Sequence, residues 1–123
     1  MADALALLVA AGFALMGTAA LARPAFVLEQ FGVAVETAEG RNEVRAVYGG
    51  FGLAVAALLV VAALGSPATA EGIFLAVAFA LVGMAAGRLV GAAVERPAGI
   101  YPVWVYFAVE AVGAAGLLWA AWG

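Results

Sequence analysis

Apolar residues run along this chain in four long stretches, separated by short breaks where nearly all of its charges gather. The stretches cover Ala4 to Ala22, Val44 to Gly65, Gly72 to Val94 and Val103 to Trp122. Each has about the 20 residues that a helix needs to cross a hydrocarbon core. None alternates apolar and polar positions as a barrel strand does, so each is expected to satisfy its backbone hydrogen bonds internally, as a helix. The breaks carry stop signals: Arg23-Pro24, Gly65-Ser66-Pro67 and Glu95-Arg96-Pro97. Proline lacks the N–H that would continue the ladder. Short connections make successive helices antiparallel. The predicted architecture is therefore an all-α membrane protein, with residues 1–123 forming a single four-helix transmembrane bundle of up-down topology. Residues 24–42 carry Glu29, Glu36, Glu39 and Arg41 among apolar neighbours such as Phe26 and Val33, which is too charged to span. That segment reads either as an interfacial loop or as a short amphipathic helix.

Composition supports a membrane solvent: 68% of the 123 residues are hydrophobic against 11% charged, and mean hydropathy is +1.17. A soluble domain could not cover such a composition with polar surface. The chain has no Cys and no His, which removes disulfides, thiol nucleophiles, imidazole bases and the common zinc ligand sets. Five scattered Arg residues and a net charge of −3 form no basic stripe, so nucleic acid is not an expected partner. No cofactor is implied. Cations that are all Arg, with abundant Ala, Gly and Val, suggest a GC-rich bacterial genome. No basic residue precedes the first apolar run, so that run is expected to be retained as a span and not cleaved as a secretory leader. All five Arg lie in or near the breaks after the first and third spans, which share a side. The positive-inside rule then places both termini in the periplasm of a protein of the inner membrane.

Lipid tails are as apolar as leucine, so close backbone approach at small residues has to draw these helices together. Gly83, Gly87 and Gly91 form a four-residue-spaced ridge on the third span, and Gly49 and Gly50 offer a second small surface on the second. The ridge packs either against a helix of its own chain or against a second copy, which would make the protein a homo-oligomer. Tyr101, Trp104, Tyr106, Trp119 and Trp122 fall near the ends of the fourth span, as an aromatic belt does.

The charges inside the spans are the most informative residues. Arg88 lies about two turns before the end of the third span and Glu110 about two turns after the start of the fourth, each on the order of 10 Å from the same interface. A lone charge at that depth costs roughly 2.5 to 3.5 kcal/mol, so the two are expected to pair. Glu43, Arg45 and the Tyr48 hydroxyl, at the start of the second span, are the next candidates for a cluster, and Glu43, Arg45, Arg88 and Glu110 sum to zero charge. The cluster reads as a polar site for a lipid head group or small anion, or as a clamp that only sets helix register.

Asn42-Glu43-Val44-Arg45-Ala46-Val47-Tyr48-Gly49-Gly50, followed by Gly87-Arg88 and Glu110, resembles the signature of a bacterial family catalogued as domain of unknown function 4345. The resemblance covers nearly the whole chain and implies four spans with an undetermined role. It singles out Glu43, Arg45, Tyr48, Arg88 and Glu110. With Ser66, Thr18, Thr37 and Thr69 the only aliphatic hydroxyls, no catalytic constellation is evident and an enzyme is not expected. The favoured reading is a binding or structural bundle with membrane lipid as a partner. The alternative is a subunit of a small oligomeric transporter or channel that uses Glu110 as a proton or cation site.

Overall fold

The computed structural model describes all 123 residues, and every regular element is helical. Helix α1 spans Ala2–Ala22, α2 Pro24–Glu29, α3 Ala38–Leu64, α4 Pro67–Val94 and α5 Val103–Trp122. The four long helices are each long and apolar enough to cross a membrane, so this is a multi-pass, all-α membrane bundle. Its surface is the reverse of a soluble protein's. Only 20 of 123 residues are buried, while Leu8, Leu15, Leu64, Val94 and Val112 are more than two-thirds exposed. Such helices are apolar all round because both neighbour and solvent are apolar.

Capping chemistry sets where the helices begin. Thr37 accepts a hydrogen bond from the Gly40 N–H at 3.0 Å, so α3 starts at Ala38, ahead of its apolar run. Ser66 accepts from the Thr69 N–H at 3.4 Å and Pro67 occupies the first turn, so α4 starts ahead of its apolar run as well. Residues 24–37 hold a short helix and an extended stretch, and residues 38–42 already belong to α3. Helix α2 is a short turn-and-a-half, Gly32 takes a left-handed φ of 73°, and an extended stretch leads into α3. Within α3, Arg45–Gly50 forms a π-helical stretch.

The helices form two extensive antiparallel pairs, α1 with α3 and α4 with α5, joined by α3 against α4 and α1 against α5. Six of the eleven residues in the main buried cluster are alanine, with Leu59, Phe74, Val77, Leu81 and Leu117 completing it. Small side chains at the centre let the backbones approach, as lipid-borne helices require. The closest approach is between α1 and α3. A Cβ on Gly17 would stand 2.8 Å from the Gly49 carbonyl oxygen and 2.9 Å from the Leu53 nitrogen, and one on Gly49 would stand 2.8 Å from the Leu21 side chain.

The other glycines of the sequence reading lie elsewhere. Gly50 is exposed. Gly83, Gly87 and Gly91 face outward, with nothing within 4 Å of a Cβ built on any of these three. The ridge on α4 therefore makes no contact with a helix of its own chain, because α4 turns the opposite face, Phe74, Val77, Ala78, Leu81 and Ala85, to the bundle.

Gly17→Ala is expected to force α1 and α3 apart and to destabilise the bundle by about 1 to 3 kcal/mol, the usual cost of overpacking. Gly87→Ala should leave the packing of the four helices within one chain, and so the stability of the monomer, unchanged. Denaturant unfolding of the two variants in detergent micelles checks the contrast.

Candidate functional site

One end of the bundle gathers the break after α1, the start of α3, the α4–α5 connection and the inner ends of the two intramembrane charges. Arg88 sits on α4 and Glu110 on α5, the two helices with the most extensive contact in the molecule; Glu110 is buried and Arg88 half-buried. The pair is a bidentate fork. Arg88 Nε donates to Glu110 Oε2 at 2.8 Å, and Nη2 donates to Oε1 at 2.7 Å. Glu110 is only 4% exposed, so its two oxygens depend on this guanidinium. Planar two-point pairing is the strongest form of this interaction.

Aromatic and amide groups complete the site. The Arg88 guanidinium carbon lies 5.4 Å from the centroid of Tyr106 and 5.9 Å from that of Phe31, within cation–π range of both. The two rings are 5.5 Å apart and tilted by 38°. Gln30, at the end of α2, accepts hydrogen bonds through Oε1 from the Tyr106 hydroxyl at 2.9 Å and from the Tyr101 hydroxyl. Its own Nε2 donates to the Val27 carbonyl at 3.0 Å. The amide thus straps the segment after α1 across to the α4–α5 connection and brings Phe31 to the guanidinium.

The structure brings together Arg88 and Glu110 from the sequence-derived set and places the other three elsewhere. Arg45 is exposed, and its Nε donates to the Leu21 carbonyl at 3.0 Å, satisfying one of the carbonyls left open at the end of α1. Glu43 is exposed with no ion pair, and Tyr48 is half-buried against Ala20, Val27 and Val44. The expected four-charge network is a single pair because the nearer partner for Arg45 is a helix end. Sequence reasoning missed Gln30, Phe31, Tyr101 and Tyr106 as parts of the site. Gln30 carried a faint signal as one of two side-chain amides in the chain. Tyr101 and Tyr106, read from the sequence only as part of an interfacial belt, point their hydroxyls at that amide. No group of three or more acidic, His or Cys side chains converges anywhere.

The family described as Domain of unknown function (DUF4345) matches residues 1–121, and the chain belongs to it. No curated protein and no solved structure matches the chain.

Arg88→Ala is expected to cost about 3 kcal/mol, because it strands the buried Glu110 carboxylate. The double variant Arg88→Leu/Glu110→Leu should recover most of that loss, since two packed leucines leave no charge unpaired. Unfolding free energies of the single and double variants in the same detergent decide it.

Proposed function

We propose that this DUF4345 member is a non-enzymatic protein of the bacterial inner membrane that holds the anionic head group of a membrane lipid at Arg88. The observation that carries this reading is the unequal use of the two partners in the bridge. Glu110 commits both oxygens, whereas Arg88 commits Nε and Nη2 and keeps Nη1 without a protein acceptor, on a side chain that is 22% exposed. A guanidinium about 10 Å from the span ends, with donors to spare, suits a phosphate oxygen drawn in from the head-group layer. The flanking Tyr106 and Phe31 rings add faces on which the rest of a head group can lie.

The geometry disfavours Glu110 as a transported proton or cation site, because both of its oxygens already accept from Arg88. Self-association belongs to the favoured reading. The outward ridge of Gly83, Gly87 and Gly91 offers lipid little surface and offers a second copy close backbone approach. Cations concentrated in the breaks after α1 and α4 put the Arg88 end on the cytoplasmic side and both termini outside.

Native mass spectrometry of the protein released from phosphatidylglycerol-containing detergent tests the lipid reading. Wild type should retain phosphatidylglycerol and the folded Arg88→Leu/Glu110→Leu variant should lose most of it; equal retention would sink the reading. Single cysteines in this cysteine-free chain test its setting. Ser66→Cys should react with an impermeant maleimide in intact cells, and Gly87→Cys should cross-link two copies on oxidation. Protection at the first position refutes the orientation, and a monomer at the second refutes the ridge contact.

A further inference from the structure

Glu43 and Tyr48, which the Arg88–Glu110 bridge leaves unused, meet in a second place. They line a groove of about 600 Å³ between the extended segment after α2 and the first turns of α3. Leu28, Val35, Val44 and Val47 supply apolar walls, and Glu36 and Thr37 stand with Glu43 and Tyr48 as the polar lining. The backbone of α3 explains how two residues five apart share this groove. At 3.6 residues per turn they would be about 140° apart. The π-helical stretch Arg45–Gly50 closes wider turns, which swings Tyr48 back toward the side of Glu43. Arg45, between them in sequence, is held on the Leu21 carbonyl.

The charge of this region is one-sided. Residues 24–44 carry Glu29, Glu36, Glu39 and Glu43 against Arg41 alone, a net −3 that equals the formal net charge of the entire chain. Neither Glu36 nor Glu43 has an ion-pair partner, since the Arg88–Glu110 pair is the one salt bridge in the molecule. The groove lies where the apolar run of α3 begins, beside Val44 and Val47. Its complement is an amphiphile with an apolar body and a cationic, hydrogen-bond-donating head.

We infer that this groove seats a membrane lipid whose head group bears a primary ammonium, with the ammonium at Glu36 and Glu43 and the acyl portion along Leu28, Val35, Val44 and Val47. An N–H donor matters because a carboxylate takes a charge-assisted hydrogen bond from it, which a quaternary ammonium cannot provide.

The test is lipid retention in native mass spectrometry, with phosphatidylethanolamine, phosphatidylcholine and phosphatidylglycerol offered separately in detergent. Glu36→Gln/Glu43→Gln removes both charges from exposed, unpaired positions, so its thermal midpoint should match wild type. Phosphatidylethanolamine retention should fall about tenfold in this variant, the size of one charge-assisted contact, and phosphatidylglycerol retention should not change. Run on the Arg88→Leu/Glu110→Leu background, the loss should persist, which separates this site from the one at Arg88. Undiminished phosphatidylethanolamine binding in the double glutamine variant, or phosphatidylcholine retained equally well by wild type, would overturn the inference.

Discussion

Hydrocarbon tails solvate leucine as well as another helix does, so burying apolar surface gives these four helices no reason to associate. What remains is close packing and internal polar pairing, and the molecule uses each once at high quality. Gly17 and Gly49 bring α1 and α3 to backbone contact, and the Arg88–Glu110 fork ties α4 to α5. The alanine-rich core follows from the same constraint, since the helices gain more from approach than from side-chain bulk.

The fork also accounts for the irregular segment between α1 and α3. A charge pair within a lipid-spanning bundle needs its outer edge covered by groups that tolerate charge, and Phe31 and Tyr106 provide ring faces for that purpose. Gln30 holds the cover in place by accepting from Tyr101 and Tyr106, so a short helix and a glycine turn become part of the polar centre. The same segment, on its other side, walls the acidic groove with Leu28 and Val35. One stretch of fifteen residues, 23–37, therefore covers the Arg88 guanidinium with Phe31 and lines the groove that Glu36 and Glu43 share.

The run from Glu43 to Gly50 divides its labour along the π-helical stretch. Arg45 and Gly49 face α1, one on the Leu21 carbonyl and the other against the Leu21 side chain. Glu43 and Tyr48 face the groove. The wider turns bring Glu43 and Tyr48 closer together around the helix than the roughly 140° of a regular α-helix would, which gives the π-helical stretch a structural purpose.

Four spans, their up-down order and the Arg88–Glu110 pair were legible in the sequence alone, because each follows from a one-dimensional cost. An apolar run of about 20 residues has to be a helix in lipid, and two opposite charges at equal depth cannot afford to stay apart. The sequence could not say which face of each helix turns inward, since helices that are apolar all round carry no amphipathic stripe to read. Only the tertiary structure decided that Gly17 and Gly49 meet while Gly83, Gly87 and Gly91 face outward, and that Arg45 caps a helix and does not join the buried pair. It alone brought Gln30 to tyrosines more than seventy residues away, because a hydrogen bond between distant segments depends on how the helices pack and not on any local pattern.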